Sequence, residues 1–305
     1  MDNIDMAAYR KRPFLVRARP YFIILPALLL TIGILYPFLT AIYYSLTSLN
    51  LQRPGAMRFV WFQNWIRMLR EEAFWHAVRV TLQYALTATF IELALGLGLG
   101  LAICRRDNWF ARLLKVSLVF PLMIAPVVAV IIWQLMTSNT IGILEKLLNL
   151  FGVYKFRWAS SADTAMFTAI MIDVWVYTPF ILILVIAGIN SLPKSPFEAA
   201  RVDGASEWFT FKNLTLPMLK PFLYIALIFR LMAAMQEYGI IWALTRGGPG
   251  DTLLNLSVTT YIRGFTQYRF GQMIPYVLTL WVIVYIVSQI LVRKWLKVQK
   301  TAGGR

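Results

Sequence analysis

Long apolar stretches limit what this chain can fold into more than any other feature. A helix needs about 20 consecutive apolar residues to cross roughly 30 Å of hydrocarbon. Six windows of this kind occur, at 21–49, 74–104, 116–136, 164–190, 217–245 and 273–292. Because 59% of the 305 residues are hydrophobic and only 14% are charged, an ordinary soluble domain is excluded. We therefore predict an all-α integral membrane protein with six transmembrane helices.

The basic residues before the first window raise the question of a cleaved signal peptide. Five of them could form the charged start of such a peptide: Arg10, Lys11, Arg12, Arg17 and Arg19. The apolar run that follows is too long for a signal peptide, and it lacks a small-residue cleavage site. We expect the first helix to be retained.

Lysine and arginine are distributed unevenly between the segments that join the windows. One set of segments contains 18 of them: 1–20, 105–116, 191–220 and 293–305. The other set, of similar total length, contains 10: 50–73, 137–163 and 246–272. By the positive-inside rule the first set is cytoplasmic, so we predict that both termini lie in the cytoplasm.

Composition excludes several other functions. The net charge of +16 could indicate nucleic-acid binding, but the basic residues flank apolar windows instead of forming one aromatic-laced patch. Lipid headgroups account for that charge better. One cysteine, Cys104, and one histidine, His76, exclude a disulfide framework and leave too few ligands for a Cys/His metal cluster. We expect neither a metal site nor a cofactor on this chain.

The polar stretch 191–217, SLPKSPFEAARVDGASEWFTFKNLTLP, interrupts the apolar second half of the chain. Ser195 and Glu198 have the spacing of a capping box, which predicts a helix start at Ser195. Gly204 suits the left-handed position that ends this helix, and Ser206 can cap a second one. We predict two short helices joined by a glycine turn. Physics alone leaves open whether they simply lie on the membrane surface.

The same stretch resembles the EAA loop of binding-protein-dependent ABC importer permeases. The matching residues stand at the family's spacing: Glu198, Ala199, Ala200, Asp203, Gly204, Ala205, Phe211, Leu216, Pro217 and Pro221. The flanking letters NSLPKSPFEAARVDGAS, and ALTRGGPGDT at 243–252, are similar to the carbohydrate-type branch. The resemblance covers roughly 160–290, while the first half agrees only in helix count. FGQMIPY at 270–276 departs from the family, and its Pro275 leaves the start of the sixth helix open.

The resemblance implies a type I ABC importer-like permease in a bacterial inner membrane. In that family the EAA loop is the coupling helix, which docks on a cytoplasmic ATPase. Carried onto this chain, the coupling residues are Phe197, Glu198, Ala199, Ala200, Arg201, Asp203, Gly204 and Ala205. Phe197, Ala200 and Arg201 share one helical face, as an apolar plug with a basic rim. Asp203 could hold main-chain amides at the bend or be a solvated carboxylate.

The resemblance also implies partners and a domain layout. The expected partners are a second permease chain that forms a heterodimer with this one, an ATPase dimer, an extracytoplasmic solute-binding protein, membrane lipid and a carbohydrate-like solute. The chain contains no GxxxxGK[ST] motif, so we expect no catalysis here and ATP-Mg bound by the ATPase subunits. The layout is a basic cytoplasmic N-terminus at 1–20, a transmembrane permease domain at 21–292 and a basic cytoplasmic C-terminus at 293–305.

Few polar residues lie inside the apolar windows, where a charge is costly and usually faces protein or a wet cavity. The set is Arg79, Glu92, Asp173, Arg230, Gln236 and Glu237. Glu92 shares a helical face with Gly96 and Gly100, which favours a structural bond at a helix contact. Arg230 and Glu237 are too far apart for a direct pair, so we expect each to have a partner on another helix or subunit.

A sugar site needs hydrogen-bonding groups beside aromatic rings. Two windows offer this mixture, and their residues form the predicted substrate pathway: Asp173, Tyr177, Gln236, Glu237, Tyr238 and Trp242. The alternative is that the aromatic residues fill helix contacts while the two carboxylates pair with basic groups such as Arg230.

Two segments on the predicted outer face have two explanations each. GILEKLLNLFG at 142–152 is amphipathic, with an apolar side formed by Ile143, Leu144, Leu147, Leu148 and Phe151. It rests on the bilayer or braces a binding protein, and we favour the bilayer. Segment 50–73 mixes aromatic and basic residues, which is typical of an interfacial belt.

Two other functions compete with an ATP-driven importer. An ion-gradient-driven secondary transporter would need no ATPase, and it is expected to show a membrane-embedded repeat with broken helices, which we do not find. A membrane-embedded enzyme is disfavoured because the intramembrane acidic residues do not cluster at a catalytic spacing.

Overall fold

The structure is a computed structural model, and it describes residues 14–104 and 108–303. The α-helices in these ranges are α1 Phe14–Ser45, α2 Gln63–Arg70, α3 Glu72–Cys104, α4 Trp109–Val119, α5 Pro126–Met136, α6 Ile143–Leu150, α7 Ala162–Ser191, α8 Ser195–Val202, α9 Glu207–Thr210, α10 Leu216–Met235, α11 Gly239–Thr245, α12 Leu256–Tyr261 and α13 Phe270–Gly303. The basic residues Arg10, Lys11 and Arg12 lie outside the described residues.

Five helical stretches in the described residues are long and apolar enough to cross a membrane. They are 21–45, 72–104, 162–191, 207–235 and 270–300. A sixth crossing exists only if α4 and α5 count together as one span. The predicted all-α membrane fold is confirmed, and the cytoplasmic position of the termini stays a prediction.

The third predicted span, 116–136, is wrong as a single helix. The stretch formed by α4 and the 3₁₀ turn Phe120–Met123 meets α5 at an angle of 108°. Pro126 starts α5, and the residue before a proline is driven sterically out of the helical region. Ala125 accordingly has an extended ψ of 138°. The pair is a broken span or a re-entrant segment.

The fifth predicted span, 217–245, is interrupted near its end. Helix α10 stops at Met235, and α11 starts at Gly239. The carboxylate of Glu237 accepts a hydrogen bond of 2.8 Å from the N–H of Ile240. This bond satisfies one of the main-chain amides that a new helix leaves open. The acidic residue inside the apolar window therefore stabilises a second helix start.

The sixth predicted span, 273–292, begins earlier than predicted. Helix α13 starts at Phe270 and continues through Pro275. The residues on both sides of this proline, Ile274 and Tyr276, are buried against neighbouring helices. This packing holds the helix together although the proline removes one main-chain hydrogen bond.

Helices α3 and α7 pack closely at the centre of the bundle. A Cβ atom on Gly96 would lie 2.7 Å from Ile181 Cγ2, and one on Gly100 would collide with Val185. Only glycine therefore allows the two backbones to approach this closely. The helix contact predicted on the face that Glu92 shares with Gly96 and Gly100 is confirmed for these two glycines.

The amphipathic segment predicted at 142–152 forms α6. Leu144 packs against the main core, whereas Leu147 and Leu150 are exposed. Glu145 is buried and accepts a hydrogen bond of 2.7 Å from the N–H of Lys155, which ties α6 to the following loop. The predicted place of α6 on the membrane surface stays a prediction.

Candidate functional site

The polar stretch between α7 and α10 folds as two short helices around a glycine turn, as predicted. Gly204 has a φ of +71°, in the left-handed region. The N–H of Ala205 bonds the carbonyl of Ala200 at 2.9 Å, and the N–H of Gly204 bonds the carbonyl of Arg201 at 3.2 Å. These two bonds form a Schellman motif, which satisfies the last carbonyls of α8. The turn direction is therefore set by the main chain.

The predicted capping box at the start of α8 is wrong. Ser195 is already the first helical residue, Lys194 occupies the N-cap, and no side chain caps this end. Pro196 occupies the first turn, where its lack of an N–H costs nothing. The predicted cap on the second helix is confirmed, because the Ser206 hydroxyl accepts a hydrogen bond of 3.2 Å from the N–H of Phe209.

The two short helices enclose an open groove of about 530 Å³. Four of the predicted coupling residues line it: Ala199, Ala200, Asp203 and Ala205. Four others do not: Phe197, Glu198, Arg201 and Gly204. The predicted face of Phe197, Ala200 and Arg201 therefore contributes only Ala200 to the groove.

The two short helices carry large apolar side chains that are exposed. Val202 is 87% exposed, Trp208 70% and Phe209 54%. Phe209 and Leu214 also line the groove, and the sequence prediction missed both. The missed signal was the aromatic content of EWFTF, since Trp208 and Phe209 precede the apolar window at 217–245.

Asp203 does not bond the amides at the bend. Main-chain carbonyls already accept from those amides, as the Schellman motif requires. Asp203 is exposed, which agrees with the alternative of a solvated carboxylate.

Inside the membrane-spanning part, three charged residues meet from three helices. Arg230 on α10 forms ion pairs with Glu92 on α3 and Asp173 on α7. The Arg230 Nε lies 2.6 Å from Glu92 Oε2, and all three side chains have exposures of 2% or less. The guanidinium carbon also lies 4.3 Å from the centre of the Tyr177 ring. We call Glu92, Asp173 and Arg230 the buried triad.

The contacts within the buried triad test several predictions made from the sequence. The structural role predicted for Glu92 at a helix contact is confirmed, as is the partner of Arg230 on another helix. Asp173, predicted for the substrate pathway, lies in this ion network, as the alternative prediction proposed. A buried charge that loses its partner is strongly destabilising, so the triad ties α3, α7 and α10 together.

The other carboxylate of the predicted pathway has a different environment. Glu237 caps α11, and its carbonyl accepts a hydrogen bond of 2.5 Å from the side-chain amide of Asn255. Gln236 is exposed, and its amide bonds only the carbonyl of Met232, at 3.0 Å, among the hydrogen bonds seen in the described residues. Gln236 therefore retains hydrogen-bonding capacity for a solute.

The aromatic residues of the predicted pathway form a stack. The rings of Tyr238 and Trp242 lie parallel, with centres 5.7 Å apart. Tyr261 contacts both, at 5.1 Å and 4.7 Å, and Phe265 continues the row at 5.5 Å from Tyr261. We call these four residues the aromatic row. Tyr177 packs against the same core as Tyr238 and Trp242.

Tyr261 and Phe265 were missed from sequence because they lie outside the apolar windows. Chain folding brings α12 and the π-helical turn Ile262–Thr266 beside α11. A Tyr-Ile-Arg-Gly-Phe segment offered an aromatic pair at helical spacing, which was the available signal.

Within residues 14–104 and 108–303, no three His, Cys, Asp or Glu side chains are close enough to hold a metal ion.

Comparison with known proteins gives a consistent result. The family described as binding-protein-dependent transport system inner membrane component matches residues 93–297. A probable ABC transporter permease protein of Sinorhizobium fredii is 34% identical, over 88% of this chain and 86% of its own. A trehalose/maltose transport system permease protein of Thermococcus litoralis is 31% identical, over 82% and 83%.

One solved structure has closely similar architecture. It is described as a bacterial ABC transporter involved in the import of the acidic polysaccharide alginate. The TM-score is 0.80, with 93% of this chain and 97% of that chain covered. At 18% sequence identity this likeness establishes the fold alone.

Proposed function

The chain belongs to the family of binding-protein-dependent transport system inner membrane components, and we propose that it carries a sugar or sugar derivative. As an ABC importer permease it is a membrane subunit of the cell's inner membrane. This membership replaces the alternative of an ion-gradient-driven secondary transporter. The carbohydrate substrate, the partner subunits and the residue roles below are the proposed part.

One observation carries the proposal that a partner drives transport. Phe209, which lines the groove between α8 and α9, is more than half exposed, and so are the apolar side chains of Val202 on α8 and Trp208 on α9. Exposed apolar clusters of this kind typically mark protein interaction sites. The chain itself has no phosphate-binding loop, so ATP-Mg has to be bound by another subunit. We propose that this ATPase subunit docks on the exposed apolar surface of α8 and α9.

The fold supplies a path from this groove to the membrane helices. Helix α9 continues through the π-helical turn Phe211–Thr215 into α10 without a break. At the other end of the loop, three residues separate the end of α7 at Ser191 from the start of α8 at Ser195. The buried triad links α7, α10 and α3, so a push on the groove would move these three helices together. Movement of such a unit suits alternating access, in which a second permease chain forms the other half of the pathway.

The aromatic row supports a carbohydrate substrate. Flat aromatic faces pack against the C–H faces of sugar rings, and nearby amides bond their hydroxyl groups. Tyr238 and Trp242 supply the faces, and the exposed amide of Gln236 is adjacent in sequence. The trehalose/maltose name of one relative agrees with this chemistry. An extracytoplasmic solute-binding protein would deliver the sugar.

Reconstitution tests this function directly. The chain is assembled in liposomes with the second permease, ATPase and binding protein encoded beside it, and uptake of labelled disaccharides is measured. We expect uptake that requires ATP and the binding protein and that persists after ion gradients are collapsed with ionophores. Uptake that follows an ion gradient without ATP would contradict the proposal.

A further inference from the structure

A small polar cavity lies outside the set of residues proposed for the transport site. Its volume is about 110 Å³. The polar residues that line it are Ser48, Asn50, Gln63, Asn64, Arg67, Arg269 and Gln272. They come from the loop after α1, from α2 and from the start of α13, so the cavity forms only in the folded chain.

Main-chain hydrogen bonds hold the walls of this cavity in place. The N–H of Gly271 bonds the carbonyl of Leu49 at 2.9 Å, and the side-chain amide of Asn64 bonds two carbonyls, those of Ser45 and Thr47, at 2.9 and 2.8 Å. A Cβ on Gly271 would collide with the carbonyl oxygen of Thr47, so glycine is needed for this approach. The cavity is therefore preformed.

The two arginines give the cavity the chemistry of an anion site. Arginine presents a planar fork of N–H donors that matches carboxylate and phosphate oxygens. In the described part of the chain, the arginines of the resolved ion pairs are Arg230 and Arg263, and no carboxylate pairs with Arg67 or Arg269. Amide groups of Gln63 and Gln272 add further hydrogen-bonding capacity. A volume of about four water molecules, at about 30 Å³ each, suits one phosphate group and excludes a disaccharide.

The surroundings of the cavity indicate the source of the phosphate. The cavity begins three residues after α1 ends at Ser45, at one end of the membrane-spanning bundle. Three exposed aromatic residues form a chain of ring contacts beside it: Tyr43 to Phe59 at 6.4 Å, and Phe59 to Trp61 at 4.7 Å. Exposed aromatic rings at the end of a span are typical of the headgroup level of a bilayer.

We propose that this cavity binds the phosphate group of a membrane phospholipid through Arg67 and Arg269. The site differs from general attraction to lipid because Arg67 and Arg269, from separate parts of the chain, line the same cavity. Binding there would fasten the loop after α1 to the start of α13 at the headgroup level. The site is independent of the solute that the protein carries.

Native mass spectrometry of the purified full chain tests the proposal. The protein is incubated with equal amounts of phosphatidylglycerol and a phosphate-free galactosyl diacylglycerol, and retained lipid is counted. We expect selective retention of phosphatidylglycerol, reduced about fivefold by each of Arg67→Gln and Arg269→Gln. Arg67→Lys, which keeps the charge, is expected to retain part of the binding.

Arg70→Gln is the matched control, because Arg70 lies on the same helix, is exposed and does not line the cavity. Equal loss in the control would show general charge attraction and overturn the proposal. Equal retention of both lipids would also overturn it, and displacement of lipid by millimolar inorganic phosphate would assign the cavity to a free anion. If the arginine variants keep their lipid but bind the solute-binding protein more weakly, the cavity takes a protein carboxylate instead.

Discussion

Arg230 on α10 and Glu92 on α3 form an ion pair with 2.6 Å between Nε and Oε2, and neither side chain is accessible to solvent beyond 2%. The two residues are separated by 138 positions along the chain, and Asp173 on α7 completes the triad. Because the helices on either side of the proposed coupling loop both contribute to the triad, we expect its integrity to matter for transmission as well as for stability.

Replacing the arginine of the triad is expected to destabilise the protein strongly. Arg230→Met leaves two buried carboxyl groups without a cation, which typically costs about 3–5 kcal/mol. Thermal unfolding of the purified protein in detergent measures the loss. Arg79→Met is the control, because Arg79 is an exposed arginine on α3. Adding Glu92→Gln and Asp173→Asn to Arg230→Met is expected to recover part of the stability, and no recovery would contradict the ion-pair explanation.

Close packing of α3 on α7 predicts a contrast between two neighbouring glycines. Gly96→Ala places a methyl group against Ile181 and is expected to destabilise by about 1–3 kcal/mol. Gly98→Ala adds the same group where no atom lies within 4 Å, so stability is expected to be unchanged. Thermal unfolding of the two variants provides the comparison, and equal midpoints would show that the contact is not tight.

Gly204, in the turn between α8 and α9, is expected to be needed for transport only because of its backbone angle. A Cβ at Gly204 would meet nothing within 4 Å, but the φ of +71° costs a side-chain-bearing residue about 1–2 kcal/mol, and a β-branched one more. Gly204→Val should lower uptake and substrate-stimulated ATP hydrolysis while the chain still inserts. Gly204→Asn, which tolerates this angle, should keep most activity. Normal transport by the valine variant would remove the turn from the coupling mechanism.

Glu198→Lys tests the coupling surface by charge. Glu198 makes no capping box, so a loss of helix stability is not the expected cause. The substitution instead reverses an exposed charge on α8, the helix that we propose docks on the ATPase, and we expect weaker ATPase association and lower uptake. Pull-down of the ATPase by the permease measures this. Unchanged association would exclude Glu198 from the docking surface.

The aromatic row gives a prediction for substrate binding. Alanine at Tyr238, Trp242 or Tyr261 should lower the apparent affinity for sugar by about tenfold, because each substitution removes a ring face. Gln236→Ala should act similarly through a lost hydrogen bond. Basal ATP hydrolysis by the assembled transporter should persist. Phe229→Ala, an exposed aromatic residue on α10, is the control. Uptake like the parent in all four variants would place the site elsewhere.

Membrane topology is tested with reporter fusions. A reporter after Arg305 should report the cytoplasm, and one inserted near Gly248 should report the exterior, because basic residues are concentrated in the segments predicted to be cytoplasmic. Opposite signals would overturn the orientation.

The sequence correctly predicted the helices and the turn that depend on residues close together along the chain. Apolar length predicted the spanning helices, and the left-handed preference of Gly204 predicted the sharp turn. The predicted helix boundaries were wrong where a proline, a capping side chain or packing against another helix decided where a helix starts or ends. Pro126 breaks the third window, Glu237 starts a new helix within the fifth, and packing carries α13 through Pro275.

The sequence by itself determined that the chain is helical, lies in a membrane and has a polar loop that resembles a coupling segment, because these properties follow from apolar length, periodicity and adjacent residues. Only the tertiary structure decided that Asp173 pairs with Arg230 and that Tyr261 joins Trp242. Only the fold also brings Arg67 to the same cavity as Arg269. Each of these contacts joins separate segments of the chain, and their geometry depends on how the helices pack.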